Sequence, residues 1–245
     1  GKRVSPMASP LPGASRSAMA QGGLALAVTF LCWGVAGPSF KLVHAHPLVR
    51  LSWRAQASLV FITPLTCFEV FYRMSPAARG ALVSKKRMTG FLAVGVAMFG
   101  VFVCWNFALT GAYSTAFSHL VVFSQLHPTF LAVWAAIRAA TWSASSAVKS
   151  PPPPWPQWCD WAGVIMSLSG VAVGACFDAK GRVGDKSPPS LTGDLLAICT
   201  GVATAFYAAA QAAYFPKESQ VSPLIVQAGG AVVMLACVLG TVAMT

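Results

Sequence analysis

Charged side chains are scarce in this sequence. Asp, Glu, Lys and Arg together make up 9% of its 245 residues, and only 6 residues are acidic. Because a soluble domain carries about 25% charged residues, a chain with so few cannot cover a surface that faces water. Hydrophobic residues account for 56% of the sequence, so we expect a lipid bilayer to be its solvent.

The sequence also lacks the patterns that mark enzymes and metal centres. Its 7 cysteines form no CxxC pair, and this spacing indicates neither a zinc site nor a disulfide framework. No phosphate-binding loop or catalytic triad signature is present, and His44 and His46 supply only two potential metal ligands. We therefore predict that the protein is not an enzyme and holds no cofactor or metal.

What the sequence does contain is a series of apolar runs near the ~20 residues that a helix needs to cross a membrane. None of them alternates as a barrel strand does, and a helix satisfies its backbone hydrogen bonds within its own segment. We therefore predict an all-α, polytopic transmembrane helical bundle of about seven spans. The runs are 22–42, 48–71, 89–110, 114–138, 159–177, 191–214 and 223–244.

Three segments lie outside this pattern. Residues 1–21 contain no acid and several Ser and Pro, which predicts a disordered N-terminal tail, although a transit peptide has a similar composition. Residues 143–158 include four consecutive prolines, which predicts a stiff extended linker, with partner docking as the alternative. We expect residues 178–190 to be a polar loop.

The net charge of +11 has two explanations. Nucleic acid binding needs basic residues gathered on one surface, whereas here they are scattered between the apolar runs, so we expect no nucleic-acid partner. The positive-inside rule explains them if the N-terminus is cytosolic. The loop 73–88 then dominates the cytosolic side, with Arg73, Arg79, Lys85, Lys86 and Arg87.

A weak internal repeat relates the two ends of the chain. Gly23-Leu-Ala-Leu-Ala27 opens the first run and Gly193-Asp-Leu-Leu-Ala197 opens the sixth, while Pro47-Leu-Val and Pro223-Leu-Ile open the second and seventh. An odd number of spans separates the copies, so they would have opposite orientations in the membrane. Inverted repeats of this kind are typical of transporters, and chance similarity between apolar helices is the alternative.

Four stretches, in order, resemble the EamA-type domain of the drug/metabolite transporter superfamily. They are LCWGVAGPSFKL, HPLVRLSWR, WNFALTGAYSTAFSHLVVFSQLHPTFLA and WCDWAGVIMSLSGVAVGA. The resemblance implies a complete five-helix unit over 22–177 and the first two helices of a second unit over 191–245. It also implies a secondary transporter that moves a small organic solute across the lipid bilayer by alternating access.

One departure from the family qualifies this expectation. Members usually have ten spans, so the resemblance implies an inverted-repeat transporter fold truncated at its C-terminus. The chain is then a fragment, which we favour, a member that works as a homodimer, or an inactive protein. The alternative function is accordingly a non-transporting membrane scaffold or a degenerate paralogue.

Proline within the fourth run predicts an interrupted helix. Pro128 cannot donate to the carbonyl of Ser124, and an unsatisfied carbonyl at membrane depth is tolerated where it faces protein or a wet cavity. On a continuous helix, a polar stripe leads to this point. It predicts either the lining of a solute path or hydrogen bonds between helices. The stripe consists of Ser114, Ser118, Gln125 and Thr129.

The sixth run carries a second polar stripe, with the same two interpretations. By helical periodicity its members share one face of an otherwise Ala-rich helix. They are Thr200, Thr204, Tyr207, Gln211 and Tyr214.

Arg54 is the most informative single residue. It lies about 10 Å inside the second span if that span begins at Pro47, where a cation is costly and is by default a functional hypothesis. Arg50 lies one turn earlier on the same face, so the two can attract an anionic group; snorkelling to lipid headgroups is the alternative. Asn106 is a further path candidate, while Asp194 is interpreted as a helix cap.

Overall fold

The computed structural model describes residues 45–110, 115–141, 155–180, 190–216 and 221–244, together with the isolated helical positions Leu24, Ala27, Val28 and Leu31. The chain divides into two compact units, Gly1–His44 and Ala45–Thr245. The predicted tail, nearly all of the first run, and most of the proline-rich linker and of the loop 178–190 lie outside the described residues. The helices described below belong to the second unit.

Every regular element in the described part of the chain is helical. α1 continues into a π-helical turn, Glu69–Arg73, and α2 is a short connecting helix. The helices are α1 (Pro47–Phe68), α2 (Pro76–Leu82), α3 (Lys85–Ala108), α4 (Phe117–Ser124), α5 (His127–Ala140), α6 (Trp158–Lys180), α7 (Leu191–Tyr214) and α8 (Pro223–Met244).

Five helical segments among the described residues are long and apolar enough to cross a membrane, so the protein is an integral, multi-pass membrane protein. They are Pro47–Arg73, Lys85–Ala108, Phe117–Ala140, Leu191–Tyr214 and Pro223–Met244. These segments match the predicted runs two, three, four, six and seven. The fifth run is helical as α6, Trp158–Lys180, and its described residues Asp160–Val173 form an apolar helix. The structure thus supports five spans of the seven predicted.

Successive spans alternate in direction. We call the end of the bundle at which α1 begins the first end and the opposite end the second end. At the first end, Thr115 donates its backbone N–H to the carbonyl of Ala108, at 3.0 Å, which joins the end of α3 to the chain entering α4. At the second end, Arg87 of α3 donates to the carbonyl of Tyr214 at the end of α7.

α3 lies at the centre of the packing, in contact with α1, α7 and α8. A side chain on Gly95 would place its Cβ 2.4 Å from the Cβ of Val233 and 2.8 Å from the carbonyl oxygen of Gly230, so these glycines let α3 and α8 approach closely. Between helices in lipid, association depends on such packing, because the bilayer is as apolar as the side chains. The surrounding core consists of Leu51, Ala55, Val94, Met98, Val226, Met234 and Val238.

The π-helical turn joins α1 to α8. The hydroxyl of Ser222, next to the start of α8, donates to Oε2 of Glu69 at 2.6 Å. Arg73 instead lies against an aromatic ring, with its Cζ 5.9 Å from the centre of Phe68. The side chain of Glu69, the first residue of this π-helical turn, therefore contacts the residue next to α8.

The charge distribution predicts the orientation in the membrane. We expect the second end, which holds the basic residues of 73–88, to face the cytosol. In a variant whose native cysteines are replaced by alanine, Ser84→Cys should react with a membrane-impermeant maleimide only after intact cells are permeabilised. Leu191→Cys, at the first end and with 77% of its side chain exposed, is the matched position and should react without permeabilisation. The opposite pattern would reverse the orientation.

Candidate functional site

The span Phe117–Ala140 is interrupted between Ser124 and His127. Gln125 and Leu126 donate their backbone N–H groups three residues back, to Val122 and Phe123, each at 3.2 Å. α5 then begins with Pro128 in its first turn, where the missing N–H of proline costs little. The structure thus contains the interruption that the proline predicts.

The interruption lies inside the span, about a third of the way from its start. α4 has 8 residues, which at 1.5 Å per residue places its end about 12 Å from the start of the span. The apolar core of a bilayer is about 30 Å thick. The backbone groups released by the break are therefore far from either water layer and need partners within the protein.

Two neighbouring helices contact the backbone carbonyls of the broken turn. The hydroxyl of Ser167 on α6 donates to the carbonyl of Gln125 at 3.0 Å. On α7, Gly201 packs directly against the broken turn, because a Cβ there would lie 2.9 Å from the carbonyl oxygen of Phe123 and 3.4 Å from that of Ser124. Ser124 itself is buried, so the break is enclosed on one side by α6 and α7.

The predicted stripe around Pro128 is divided by this break. Ser118 and Thr129 are half-buried, Gln125 and Pro128 are exposed, and Ser114 lies outside the described residues. Periodicity of 100° per residue applies to a continuous helix, and the chain is not continuous here, so the stripe does not extend as one face. Thr129 retains a buried hydroxyl without a hydrogen-bond partner among the described residues.

Pro128 contributes instead to a groove between α5 and α6. The groove has a volume of about 430 Å³ and opens to the outside of the bundle. Asp160 is one of its lining residues, and its carboxylate accepts the backbone N–H of Gln157 at 2.7 Å, which is a capping contact for α6. The other lining residues are Leu131, Ala132, Ala135, Pro156 and Gly163.

The stripe on α7 separates into two parts. Thr200 and Thr204 donate their hydroxyls to carbonyls of their own helix, those of Leu196 at 3.0 Å and Thr200 at 2.8 Å. These hydroxyls are satisfied without help from another helix. Thr200 is nevertheless 1% exposed, at the contact of α7 with its neighbours.

The second part of the stripe forms a network between α7 and α8. The hydroxyl of Tyr207 accepts hydrogen bonds from the side-chain amides of Gln211 and Gln227. Gln227 was missed by the sequence analysis; a single Gln near the start of an otherwise apolar span was the available signal. The side chain of Tyr214 lies outside this network, and its carbonyl accepts from Arg87.

The two arginines of α1 have different environments. Arg50 is 8% exposed and donates Nε to the carbonyl of Ala45 at 2.9 Å. Arg54 is half-buried, and its Cζ lies 4.1 Å from the centre of the Phe102 ring on α3. A guanidinium over an aromatic face is stabilised by about 0.5–2 kcal/mol. The side chain of Arg54 thus packs against α3.

Asn106 lies deep at the first end of α3. Its side chain is 1% exposed, and its amide nitrogen donates to the carbonyl of Phe102 at 2.8 Å. Its Oδ1 atom is buried and has no hydrogen-bond partner among the described residues. Leaving such an acceptor unsatisfied costs about 1–3 kcal/mol, so Asn106 is available to a bound group.

Asp194 does not act as the cap that the sequence suggests. Ser190 holds that role, because its hydroxyl accepts the backbone N–H of Gly193 at 3.0 Å. The Oδ1 atom of Asp194 instead accepts the hydroxyl of Thr115 and lies 3.1 Å from Nδ1 of His119 on α4. His119 and Asp194 are 75 residues apart in sequence, which is why sequence spacing gave no indication of the pair.

Comparisons with known proteins return nothing: no family model matches the chain, and no curated protein or solved structure does so either. The resemblance to the EamA-type domain therefore stays a prediction from the four quoted stretches. Among the described residues there is also no group of three or more His, Cys, Asp or Glu side chains that could hold a metal ion. The site is thus a set of polar side chains on α1, α3, α4, α7 and α8 around a broken span.

The close fit at the break predicts the effect of enlarging Gly201. Gly201→Ala should force α7 away from the broken turn and destabilise the folded protein by about 1–3 kcal/mol. Gly100→Ala is the matched control, because its added Cβ would meet Ala203 at an ordinary 3.5 Å. Thermal unfolding of purified protein in detergent measures both. Equal melting temperatures for the two variants would show that the approach of Gly201 is not tight.

Proposed function

We propose that this protein is a secondary transporter that moves a small organic solute across a membrane by alternating access. The observation that carries the proposal is the span that is broken between α4 and α5 and packed there against Gly201. Non-helical backbone at that depth is tolerated where it is buried in protein or lines a cavity. Broken helices near the midplane form the substrate sites of many transporters.

The distribution of polar contacts between helices supports this proposal. At the first end, Asp194 joins α7 to α4 through Thr115 and His119. At the second end, Glu69 joins α1 to Ser222 and Arg87 joins α3 to the end of α7. Alternating access requires contacts at each end that can break while those at the other end hold. Directional hydrogen bonds at the two ends are suited to that exchange.

The side chains near the first end favour an anionic or zwitterionic solute. Arg54 presents a guanidinium about 10 Å inside its span, and a planar guanidinium binds a carboxylate in a bidentate manner. The unpaired Oδ1 of Asn106 is a hydrogen-bond acceptor for an ammonium or hydroxyl group. A small hydroxy acid or an amino acid carries both a carboxylate for Arg54 and a hydroxyl or ammonium group for Asn106.

The inverted-repeat fold of seven spans, with its units over 22–177 and 191–245, belongs to the same proposal. In its support, α1 and α8 both open with Pro-Leu and begin at opposite ends of the bundle. An inverted repeat requires such opposite orientation. A cytosolic N-terminus and assembly as a homodimer are parts of this proposal that need their own experiments.

Solute exchange by purified protein tests the proposal against a non-transporting scaffold. Liposomes are loaded with one unlabelled solute from a panel of amino acids, monocarboxylates, nucleosides and sugars, and uptake of the same labelled solute is followed. We expect saturable exchange for at least one anionic or zwitterionic member. Protein-free liposomes are the control, and absence of saturable exchange across the panel would favour the scaffold.

Substitutions of Arg54 test whether it contacts the solute. Hydrogen bonds to a charged group contribute about 1.5–3 kcal/mol, so Arg54→Ala should lower kcat/KM by about ten- to a hundred-fold. Arg54→Lys keeps the charge but loses the planar fork, and should lower kcat/KM less. Initial exchange rates, normalised to the folded protein in each liposome sample, give these values.

Arg50→Ala is the matched control for this series. Arg50 lies on the same helix face, but its Nε is engaged by the carbonyl of Ala45, so its removal should affect kcat/KM less than Arg54→Ala does. If Arg54 only reaches toward lipid headgroups, Arg54→Lys will equal the wild type and Arg54→Ala will change the amount of protein without changing KM.

A further inference from the structure

We propose that Asp194, His119 and Thr115 form a proton-binding site through which a proton gradient drives transport. This inference rests on the transporter function proposed above and identifies the ion that drives it. The three side chains lie at the first end of the bundle, on α7, on α4 and directly before α4. They form the contact that joins the first half of the broken span to α7.

The geometry gives one carboxylate oxygen two partners of different kinds. Oδ1 of Asp194 accepts the hydroxyl of Thr115 and lies within hydrogen-bond distance, 3.1 Å, of Nδ1 of His119. Thr115 is 4% exposed, so its hydroxyl fixes the carboxylate from within the protein. The imidazole ring is positioned in turn by Phe123, whose ring meets it edge-on at 5.6 Å between centres.

The pair can take up a proton without a large charge imbalance. With a neutral imidazole the pair carries one negative charge, and one added proton makes it neutral, either as an imidazolium–carboxylate pair or as a carboxylic acid beside imidazole. Asp194 lies in the first turn of α7, where the helix dipole favours its negative form.

A proton can reach the pair from the aqueous phase at the first end. The side chains of His119 and Asp194 are 13% and 23% exposed, so they are enclosed without being sealed. Intramembrane carboxylate and histidine pairs form the proton relays of pumps and transporters. Partial exposure to one side is what a site that loads from that side needs.

The charged and titratable residues whose side chains the structure describes on the neighbouring helices lie at other heights along the bundle. Those described are Lys85, Lys86, Arg87 and Cys104 on α3, His127 and Arg138 on α5, Asp160 on α6, and Cys199, Tyr207 and Tyr214 on α7 itself. Cys104 faces Cys199, more than a turn beyond Asp194. His127 follows the break, and the other charged groups lie at the second end. Among these groups, His119 is therefore the titratable side chain that lies against Asp194.

The same contact is linked mechanically to the broken span. α4 is held to α7 by Asp194 near its start and by Gly201 at its end. Protonation changes the strength of the first contact, and a hydrogen bond to a charged group is roughly twice as strong as one between neutral groups. If α4 can pack on α7 in two ways, proton binding shifts the equilibrium between them. By thermodynamic linkage, the affinity for the proton then differs between the two packings.

The experiment compares solute exchange with uphill accumulation in liposomes, using the full chain. Exchange needs no net proton movement, whereas accumulation driven by a pH gradient does. The proton itself is followed with a pH-sensitive dye trapped in the liposome lumen, while solute entry is followed by label. For wild-type protein we expect a pH gradient to drive accumulation, and an inward solute gradient to change the lumenal pH.

Three variants assign the effect to the pair. Asp194→Asn removes the titratable carboxylate, and we expect the ratio of accumulation to exchange to fall about ten-fold or more. His119→Gln keeps a hydrogen-bonding side chain but does not titrate, and it should also lower the ratio of accumulation to exchange. It provides the test if Asp194→Asn does not fold. Asp160→Asn makes the identical change in the first turn of α6, where the carboxylate only caps the helix, and should leave the ratio unchanged.

Each outcome decides one proposal. Exchange without any response to a pH gradient, or variants at 194 and 119 that accumulate solute as the wild type does, would overturn proton coupling and leave the transporter function standing. Absence of exchange with every solute tested would overturn the transporter function and, with it, the coupling. A solute-induced change in lumenal pH that Asp194→Asn or His119→Gln abolishes, and Asp160→Asn does not, supports the site.

Discussion

The requirement that every backbone polar group in hydrocarbon find a partner determines how this bundle is built. In most spans the helix meets that requirement by itself. The fourth predicted span cannot, because Pro128 has no N–H to donate. The consequence reaches two neighbouring helices: α6 supplies the hydroxyl of Ser167, and α7 supplies a glycine that lets its backbone approach the carbonyls of the broken turn. The broken turn is thus packed against both α6 and α7.

The remaining packing combines a close-fitting apolar interior with polar contacts near the ends. Gly95 and Gly230 bring α3 and α8 together where small residues alone allow it. Toward the ends, side-chain hydrogen bonds join helices, as with Glu69 and Ser222 at the second end and Asp194 and Thr115 at the first. Both kinds of contact are sensitive to small shifts, because a small gap loses much of the dispersion attraction and hydrogen bonds depend on distance and angle.

Asp194 lies at a helix terminus but makes its hydrogen bonds to another helix. A carboxylate in the first turn of a helix ordinarily satisfies the terminal N–H groups. Here Ser190 does so, which leaves the carboxylate of Asp194 free to reach across to α4. The helix terminus still favours its negative charge, while Thr115 and His119 determine its hydrogen bonding. A residue that a single helix would not need has thereby become part of an interhelical contact.

The sequence by itself determined the class of the protein and the position of the break. A low content of charge and apolar runs of span length predict helices in a bilayer, and runs two, three, four, six and seven are helical segments of that length. Proline inside a helix removes one backbone hydrogen bond, which predicted the interruption at Pro128, whereas Pro64 lies inside α1 without interrupting it. These are local properties, set by neighbours along the chain.

Only the tertiary structure decided which polar residues meet. Periodicity placed Thr200 and Tyr207 on one face of α7, but it could not show that the first bonds its own helix while the second bonds Gln227. Periodicity also predicted that the polar stripe continues to Thr129, but the break in the helix ends the periodicity before that residue. The pairing of His119 with Asp194 depends on the packing of α4 against α7, and such packing is set by shape complementarity between distant segments. Sequence spacing carries no measure of that complementarity.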